Sequence, residues 1–350
     1  MKCRTGRKRT EKENNMLRIG VIGCGAMGRS HIDRITNMTQ GAEVIAVSDV
    51  FEEGARKAAE IAGNGCKVYT CGKGLISDPD VDAVVIASPG SAHKEDLLEA
   101  VKAGKRVFCE KPLCTTAGDC KAVMEAEAAS GRHLIQVGFM RRYHKGYVQI
   151  KESIRTGEYG EPLIIHCTHR NPTVPESYIT PMTVHDTAIH EIDLFHWMVN
   201  DDFDTVQVIT PKQTGFIHKN CRDPHIMILK TKTGVTVDLE VFVNCLFGYD
   251  INCEVVCEKG ALTMGKPMAP VIKTAGREST SVTMECYDLF RDAYDEEIRN
   301  WVDLAPAGII EGPNTWDGYL AAVTADALIR SQETGEIVKV ESAEKPDFYE

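Results

Sequence analysis

Leu17-Arg18-Ile19-Gly20-Val21-Ile22-Gly23-Cys24-Gly25-Ala26-Met27-Gly28 decides the fold. Its first half is a short apolar run of strand length. Its second half fits Gly-x-Gly-x-x-Gly and leads into a helical stretch. The glycine pattern is weak by itself, but between a strand and a helix it reads as a dinucleotide turn. The glycines allow a tight turn and let the backbone approach a pyrophosphate, while the helix start offers N–H groups and a positive dipole end. Gly23, Gly25, Ala26, Met27 and Gly28 are therefore the expected phosphate cradle.

The pattern around this turn is consistent with it. Apolar runs at Arg18–Gly23, Glu43–Ser48, Ala83–Ala87, Arg106–Cys109 and Leu134–Val137 alternate with helical stretches at Ala55–Ala62, Glu95–Ala103 and Ala117–Ser130. Continuous apolar strands separated by helices imply a parallel sheet covered on both faces, a doubly wound Rossmann arrangement. Asp49 ends the second of these runs. A carboxylate there accepts from ribose hydroxyls and repels a 2′-phosphate, and Val50 and Phe51 supply no arginine for one, so NAD is expected over NADP. Asp49 also suits the N-cap of the following helix. Ser88 and His93 follow the Ala83–Ala87 run, at a sheet edge where ligands bind; His93 reads equally as a first-turn helix residue.

Beyond about residue 136 the pattern changes. A helix at His144–Arg155 leads into strand signals at Leu163–Thr168, Val206–Ile209, His225–Lys230, Val235–Asn244, Ile251–Cys257 and Ser281–Glu285. One helix, Val184–Val199, interrupts them, and two more close the chain at Asp288–Leu304 and Trp316–Glu333. Grouped strands imply an α+β domain on an open, largely antiparallel sheet. The expected division is a tail at 1–15, an NAD-binding domain at 16–136, a substrate-binding and oligomerisation domain at 137–336 and a C-terminal tail at 337–350. The first 15 residues carry six Lys or Arg and no apolar block, so they are not a secretory signal.

Composition bounds the partners. The 350 residues hold 40 Lys plus Arg against 51 Asp plus Glu, a net charge of −11, which opposes nucleic acid and anionic membrane. No run reaches the roughly 20 apolar residues of a membrane helix. The 13 cysteines form no Cys-x-x-Cys pair, and Cys253 and Cys257 on one strand would stand about 13 Å apart, so reduced cysteines in a cytoplasmic protein are expected.

The chemistry is carried by Lys111, in Cys109-Glu110-Lys111-Pro112, and by Asp186 and His190, four residues apart. Oxidising a secondary alcohol needs a base for the hydroxyl proton and a positive group near the oxygen. His190 has the range for the base and Lys111 the charge; Asp186 is placed to orient the imidazole, to hold a substrate hydroxyl, or both. His185, His190, Glu191 and Asp193 form no His-Glu-x-x-His, and no metal is expected.

These motifs, with Glu110-Lys111-Pro112-Leu113 and Ala103-Gly104-Lys105, resemble the glucose–fructose oxidoreductase/inositol dehydrogenase (Gfo/Idh/MocA) family. Gln136–Tyr143, His166–Val174, His190-Glu191-Ile192-Asp193, Asn244–Asp250 and Trp316-Asp317-Gly318-Tyr319 narrow the likeness to its bacterial inositol dehydrogenases. The resemblance runs from about Leu17 to the end. It implies a catalytic set of Lys111, Asp186 and His190, Glu110 and Lys111 at the cofactor, and a cyclic-polyol site lined by Met140, Arg141, His169, Asn171, Asp186, His190 and Tyr249. It also implies a homo-oligomer, a tetramer, assembled through the open sheet. The chain departs from the pattern at Ser88-Pro89-Gly90, at His144 and near Met284-Glu285-Cys286. The reaction this implies is NAD-dependent oxidation of myo-inositol to 2-keto-myo-inositol; the departures leave scyllo-inositol, D-chiro-inositol or a pyranose as alternatives, and a non-catalytic ligand-sensing regulator is the reading from another class.

Overall fold

The computed structural model describes residues 16–63, 65–265 and 271–350; the N-terminal 15 residues, read above as a tail, lie outside them. Two compact units divide the chain. The first takes residues up to Glu110, with 125–136 and 297–314; the second takes 111–124, 137–296 and 315–350. Segments 111–124 and 297–314 thus belong to the other unit from their flanking sequence.

The first unit follows the glycine-rich turn outward. Its strands are β1 (Leu17–Ile22), β2 (Ala42–Ser48), β3 (Lys67–Tyr69), β4 (Ala83–Ile86), β5 (Arg106–Glu110) and β6 (Ile135–Gly138), in the spatial order β3-β2-β1-β4-β5-β6. The β1/β2, β1/β4, β2/β3 and β4/β5 pairs are parallel. Helices α1 (Ala26–Asn37), α2 (Glu52–Ala62), α3 (Gly72–Ile76) and α4 (His93–Ala103) alternate with them, and α5 (Ala117–Ser130) begins in the segment assigned to the second unit and ends in the first. Strand order reverses between β1 and β4, so the segments leaving these two strands flank the crevice where such sheets bind ligands. Ile19, Val21, Ile32, Val47, Val85 and Phe108 form the centre of its core. Each such aliphatic side chain contributes roughly 1.5–3 kcal/mol when fully buried. The residues Ile298, Trp301 and Val302 join the same cluster from far along the chain.

The second unit is built on a seven-stranded sheet. After α6 (Lys145–Thr156) come β7 (Pro162–Arg170), α7 (Ile189–Val199), β8 (Phe203–Ile209), β9 (His225–Thr231), β10 (Thr236–Phe242), β11 (Asp250–Cys257) and β12 (Gly260–Thr263). A hairpin, β13 (Val271–Thr274) and β14 (Arg277–Thr280), precedes α8 (Cys286–Leu304) and α9 (Thr315–Thr334), and β15 (Val338–Lys339) closes the sheet edge. The order is β12-β11-β7-β10-β9-β8-β15. β7 and β10 pair in parallel and the other pairs are antiparallel. Strict alternation of buried and half-exposed residues along β10 and β11 marks a sheet with one face on a core.

Two local expectations differ from the structure, and one hairpin was not expected. Ser281–Glu285 is not a strand. Its Val/Thr/Met alternation imitates one, but Val282 and Met284 are exposed and the Thr283 hydroxyl serves the start of α8, accepting from Glu285 N–H (3.1 Å) and donating to Asp288 (2.6 Å). The helix expected at Val184–Val199 opens with a π turn over Thr183–Ala188 before α7 begins. The β13–β14 hairpin went unread because all of its residues are exposed and polar alternation carries no signal.

Candidate functional site

The nucleotide side lies in the first unit. Gly23 has φ +90°, and a Cβ there would stand 2.4 Å from Ser88 N and 2.5 Å from Ala87 C, so only glycine lets β1 turn beside the end of β4. A Cβ on Gly28 would sit 1.8 Å from Gly23 O, which fixes close packing of α1 on the turn. Gly25 differs: a Cβ there meets nothing within 4 Å. It is the N-cap of α1, with no side-chain cap and no acidic residue in the first turn. Protein packing therefore does not demand Gly25, while uncapped amides and an open space above them suit a pyrophosphate. Ala26 is exposed and Met27 half-buried beside it.

Asp49 bridges this turn to α2. Its carboxylate accepts from Cys24 N–H (2.8 Å) and Phe51 N–H (2.9 Å). Phe51, not Asp49, is the N-cap of α2. Each oxygen keeps a lone pair for a ribose hydroxyl. Val50 and Phe51 are exposed and bring no cation to this carboxylate. These residues fit NAD.

Two of the residues expected at the cofactor, His93 and Glu110, are buried. His93 is fully buried, and its Nε2 bonds the Ser88 carbonyl (2.7 Å) while Nδ1 meets Cys109 Sγ (3.4 Å). It holds the Ser88 loop from behind. The Ser88 hydroxyl is sealed from solvent with no partner among the described residues. Glu110 bonds His31 Nε2 (2.6 Å), and His31 Nδ1 meets Arg34 (3.1 Å), a buried set that no sequence motif announced.

The catalytic candidates come together in the second unit. Lys111 Nζ donates to Asp186 twice, to Oδ1 and to the main-chain carbonyl, each at 2.9 Å. The π turn carries Asp186 into this position. The Lys111 ammonium holds the Asp186 carboxyl below its usual range against the opposing effect of burial. Among the described residues no hydrogen bond joins Asp186 to His190; the Asp186 contacts run to Lys111. His190 is the second residue of α7 and only 8% exposed. Burial pushes its imidazole well below the ordinary histidine range, and Lys111, Arg141 and His169 add to the effect. Its Nδ1 is sealed and without a partner among the described residues.

Around this pair stand the polyol candidates. The His169 ring lies 6.3 Å from that of His190 and edge-on to Tyr249 at 5.9 Å. His169 Nδ1 bonds Glu191 (2.8 Å), and burial lowers its affinity for a proton. Arg141, expected to face a substrate, is fully buried: it is ion-paired with Glu191, reaches His169 Nδ1 (3.2 Å) and lies 5.1 Å over the Phe290 ring. It supports the site from beneath. Met140 is buried, and Asn171 is half-buried with its main chain tied to Phe242 and Cys245. His144 packs edge-on to Tyr147 and Phe290, both at 5.4 Å, and gives α6 no side-chain cap. Glu191 went unread as a site residue; its place in His190-Glu191-Ile192-Asp193, among the apolar residues of α7, was the available signal. Among the described residues no cluster of three or more His, Cys, Asp or Glu is placed to hold a metal ion, and no helix is long and apolar enough to cross a membrane.

A doubly wound domain with a dinucleotide turn, and a second unit holding a lysine–aspartate pair beside a neutral histidine, define a nicotinamide-dependent oxidoreductase. The chain belongs to the Gfo/Idh/MocA oxidoreductase family. The model of that family's NAD-binding Rossmann fold matches residues 17–139, and that of its C-terminal alpha/beta domain matches 151–340. Inositol 2-dehydrogenase of Serratia proteamaculans is 45% identical over 333 residues, covering 95% of this chain and 99% of that protein. Inositol 2-dehydrogenase of Pseudomonas savastanoi is 46% identical over 334 residues, with the same coverage. Among solved structures, myo-inositol dehydrogenase from Lactobacillus casei, in complex with NAD(H) and myo-inositol, is similar with a TM-score of 0.93 and 39% identity, covering 96% of this chain and all of that one.

Proposed function

We propose that this chain is an inositol 2-dehydrogenase that oxidises myo-inositol to 2-keto-myo-inositol (scyllo-inosose) with NAD. The observation that carries the reading is the Lys111–Asp186 pair beside a buried, neutral His190. The alcohol loses a proton and a hydride. NAD, when bound, supplies the acceptor for the hydride. His190 takes the hydroxyl proton, a task that needs a neutral imidazole, and burial supplies one at physiological pH. Lys111 stabilises the negative charge that develops on the oxygen. Asp186 fixes the Lys111 ammonium and accepts from a second hydroxyl. His169, Asn171 and Tyr249 orient the ring, and Arg141 and Met140 hold them in place.

The cofactor is assigned to 16–136, with Gly23, Gly25, Ala26, Met27 and Gly28 at the pyrophosphate, Asp49 at the ribose and the Ser88 loop alongside. Substrate binding and assembly fall to 137–336. Ile164 is an exposed apolar residue on the face of β7 opposite buried Ile165 and Cys167, and it supports assembly through that face of the sheet as a homotetramer; the cytoplasm is the compartment assigned. Replacement of Lys111 or His190 by Ala tests the roles. Each lowers turnover by about 10²-fold or more while NADH still binds, read by fluorescence titration. Near-wild-type turnover in either variant contradicts the assignment.

A further inference from the structure

Glu191 follows the proposed base directly, yet the reaction as written does not use it. It is fully buried. One carboxylate oxygen accepts from His169 Nδ1 at 2.8 Å, and the other is ion-paired with Arg141, itself fully buried. Such a pair is a poor stabiliser, because the cost of desolvating both charges offsets their attraction. What it does well is impose a proton position.

We propose that Glu191 is a positioning residue for polyol recognition: ion-paired to Arg141, it keeps the His169 proton on Nδ1 and so presents a lone pair at Nε2 to one hydroxyl of the ring. The inference rests on reading the chain as a polyol dehydrogenase. Glu191 only accepts and Arg141 only donates, and both face His169 Nδ1, at 2.8 and 3.2 Å; the shorter contact is to the carboxylate, which also takes the Arg141 charge, so the hydrogen lies on Nδ1 and Arg141 gives its N–H to Glu191. A neutral imidazole then has its other nitrogen as an acceptor. Burial keeps His169 neutral. Tyr249, edge-on at 5.9 Å, fixes the plane of the ring. With the His169 and His190 rings 6.3 Å apart, two imidazoles address two hydroxyls of one substrate: His190 the one oxidised, His169 a neighbour. Consecutive residues of α7 thus set both. The ligand class selected is a ring with a second hydroxyl beside the reacting one.

A double-mutant cycle tests this on the full chain: wild type, Glu191→Gln, His169→Gln and the double variant, with kcat and KM for myo-inositol and the NADH dissociation constant. Glu191→Gln raises KM for the polyol by about tenfold or more and leaves NADH affinity within about twofold, since the nucleotide residues are untouched. In the His169→Gln background, adding Glu191→Gln changes kcat/KM by less than about twofold. Penalties that multiply, or a loss confined to kcat and NADH affinity, overturn the proposal. If Glu191→Gln does not fold because Arg141 is left unpaired, Glu191→Gln with Arg141→Met removes both charges and carries the same expectation. A wild-type protein that oxidises no polyol overturns the underlying reading and this inference together; wild-type turnover with independent penalties overturns this inference alone.

Discussion

Lys111 and Asp186 are ion-paired, and burial and the Lys111 charge lower the proton affinity of His190. Because burial, Lys111 and Arg141 all lower the His190 pKa, the base stays unprotonated to a more acid pH than a free imidazole. The acid limb of kcat/KM, which reports the free enzyme, therefore falls below pH 6.5, and the rate is flat from there to neutrality. A limb centred at or above pH 6.5 contradicts the assignment of His190 as base. These three residues could be proposed from the sequence because each sits in a short pattern whose chemistry suits its residue type. Arg141 and Glu110 were not legible as buried supports: sequence shows that a charge is present but not that its partner, Glu191 or His31, lies 50 and 79 residues away. The pairing of Asp186 with Lys111 rather than His190 was hidden for a related reason, since spacing of four assumes an α turn and the chain makes a π turn there.

The glycine-rich turn between β1 and α1 separates folding from binding within one element. Gly28→Ala forces a Cβ against Gly23 O and destabilises the protein by about 1–3 kcal/mol, read as a lower thermal midpoint. Gly25→Ala meets no protein atom, so the midpoint stays put while the NAD dissociation constant rises by about tenfold. Equal NAD affinity in Gly25→Ala contradicts a pyrophosphate above α1. At this scale the sequence was most readable where strands are buried on both faces, as in β1, β4 and β5, where continuous apolar runs admit little else. It was least readable where exposure removes the hydrophobic period, as in the β13–β14 hairpin and the three-residue β3. Ser281–Glu285 misled because a side-chain hydroxyl at a helix start occupies a place in an apparently alternating run.

At the scale of the whole chain, alternation of strand and helix followed by grouped strands sufficed to place a doubly wound sheet before an open, largely antiparallel one. The return of Ile298, Trp301 and Val302 to the first core was not legible, because a long-range contact leaves no local pattern. The parallel β7/β10 pair inside a mainly antiparallel sheet was hidden likewise. With assembly through the second sheet as proposed, light scattering is expected to give a particle of about four times the 38.6 kDa mass of the chain, and Ile164→Asp on β7 is expected to give smaller particles. A wild-type monomer contradicts assembly through that sheet.

NADH formation with NAD and myo-inositol, run beside scyllo-inositol, D-chiro-inositol and glucose and repeated with NADP, tests the central claim most directly. The account predicts turnover with myo-inositol and NAD, and markedly less with NADP because Asp49 repels a 2′-phosphate. Turnover only with another polyol keeps Lys111 and His190 in their roles and moves the substrate. Binding of NAD and polyol with no turnover of any of them contradicts the account.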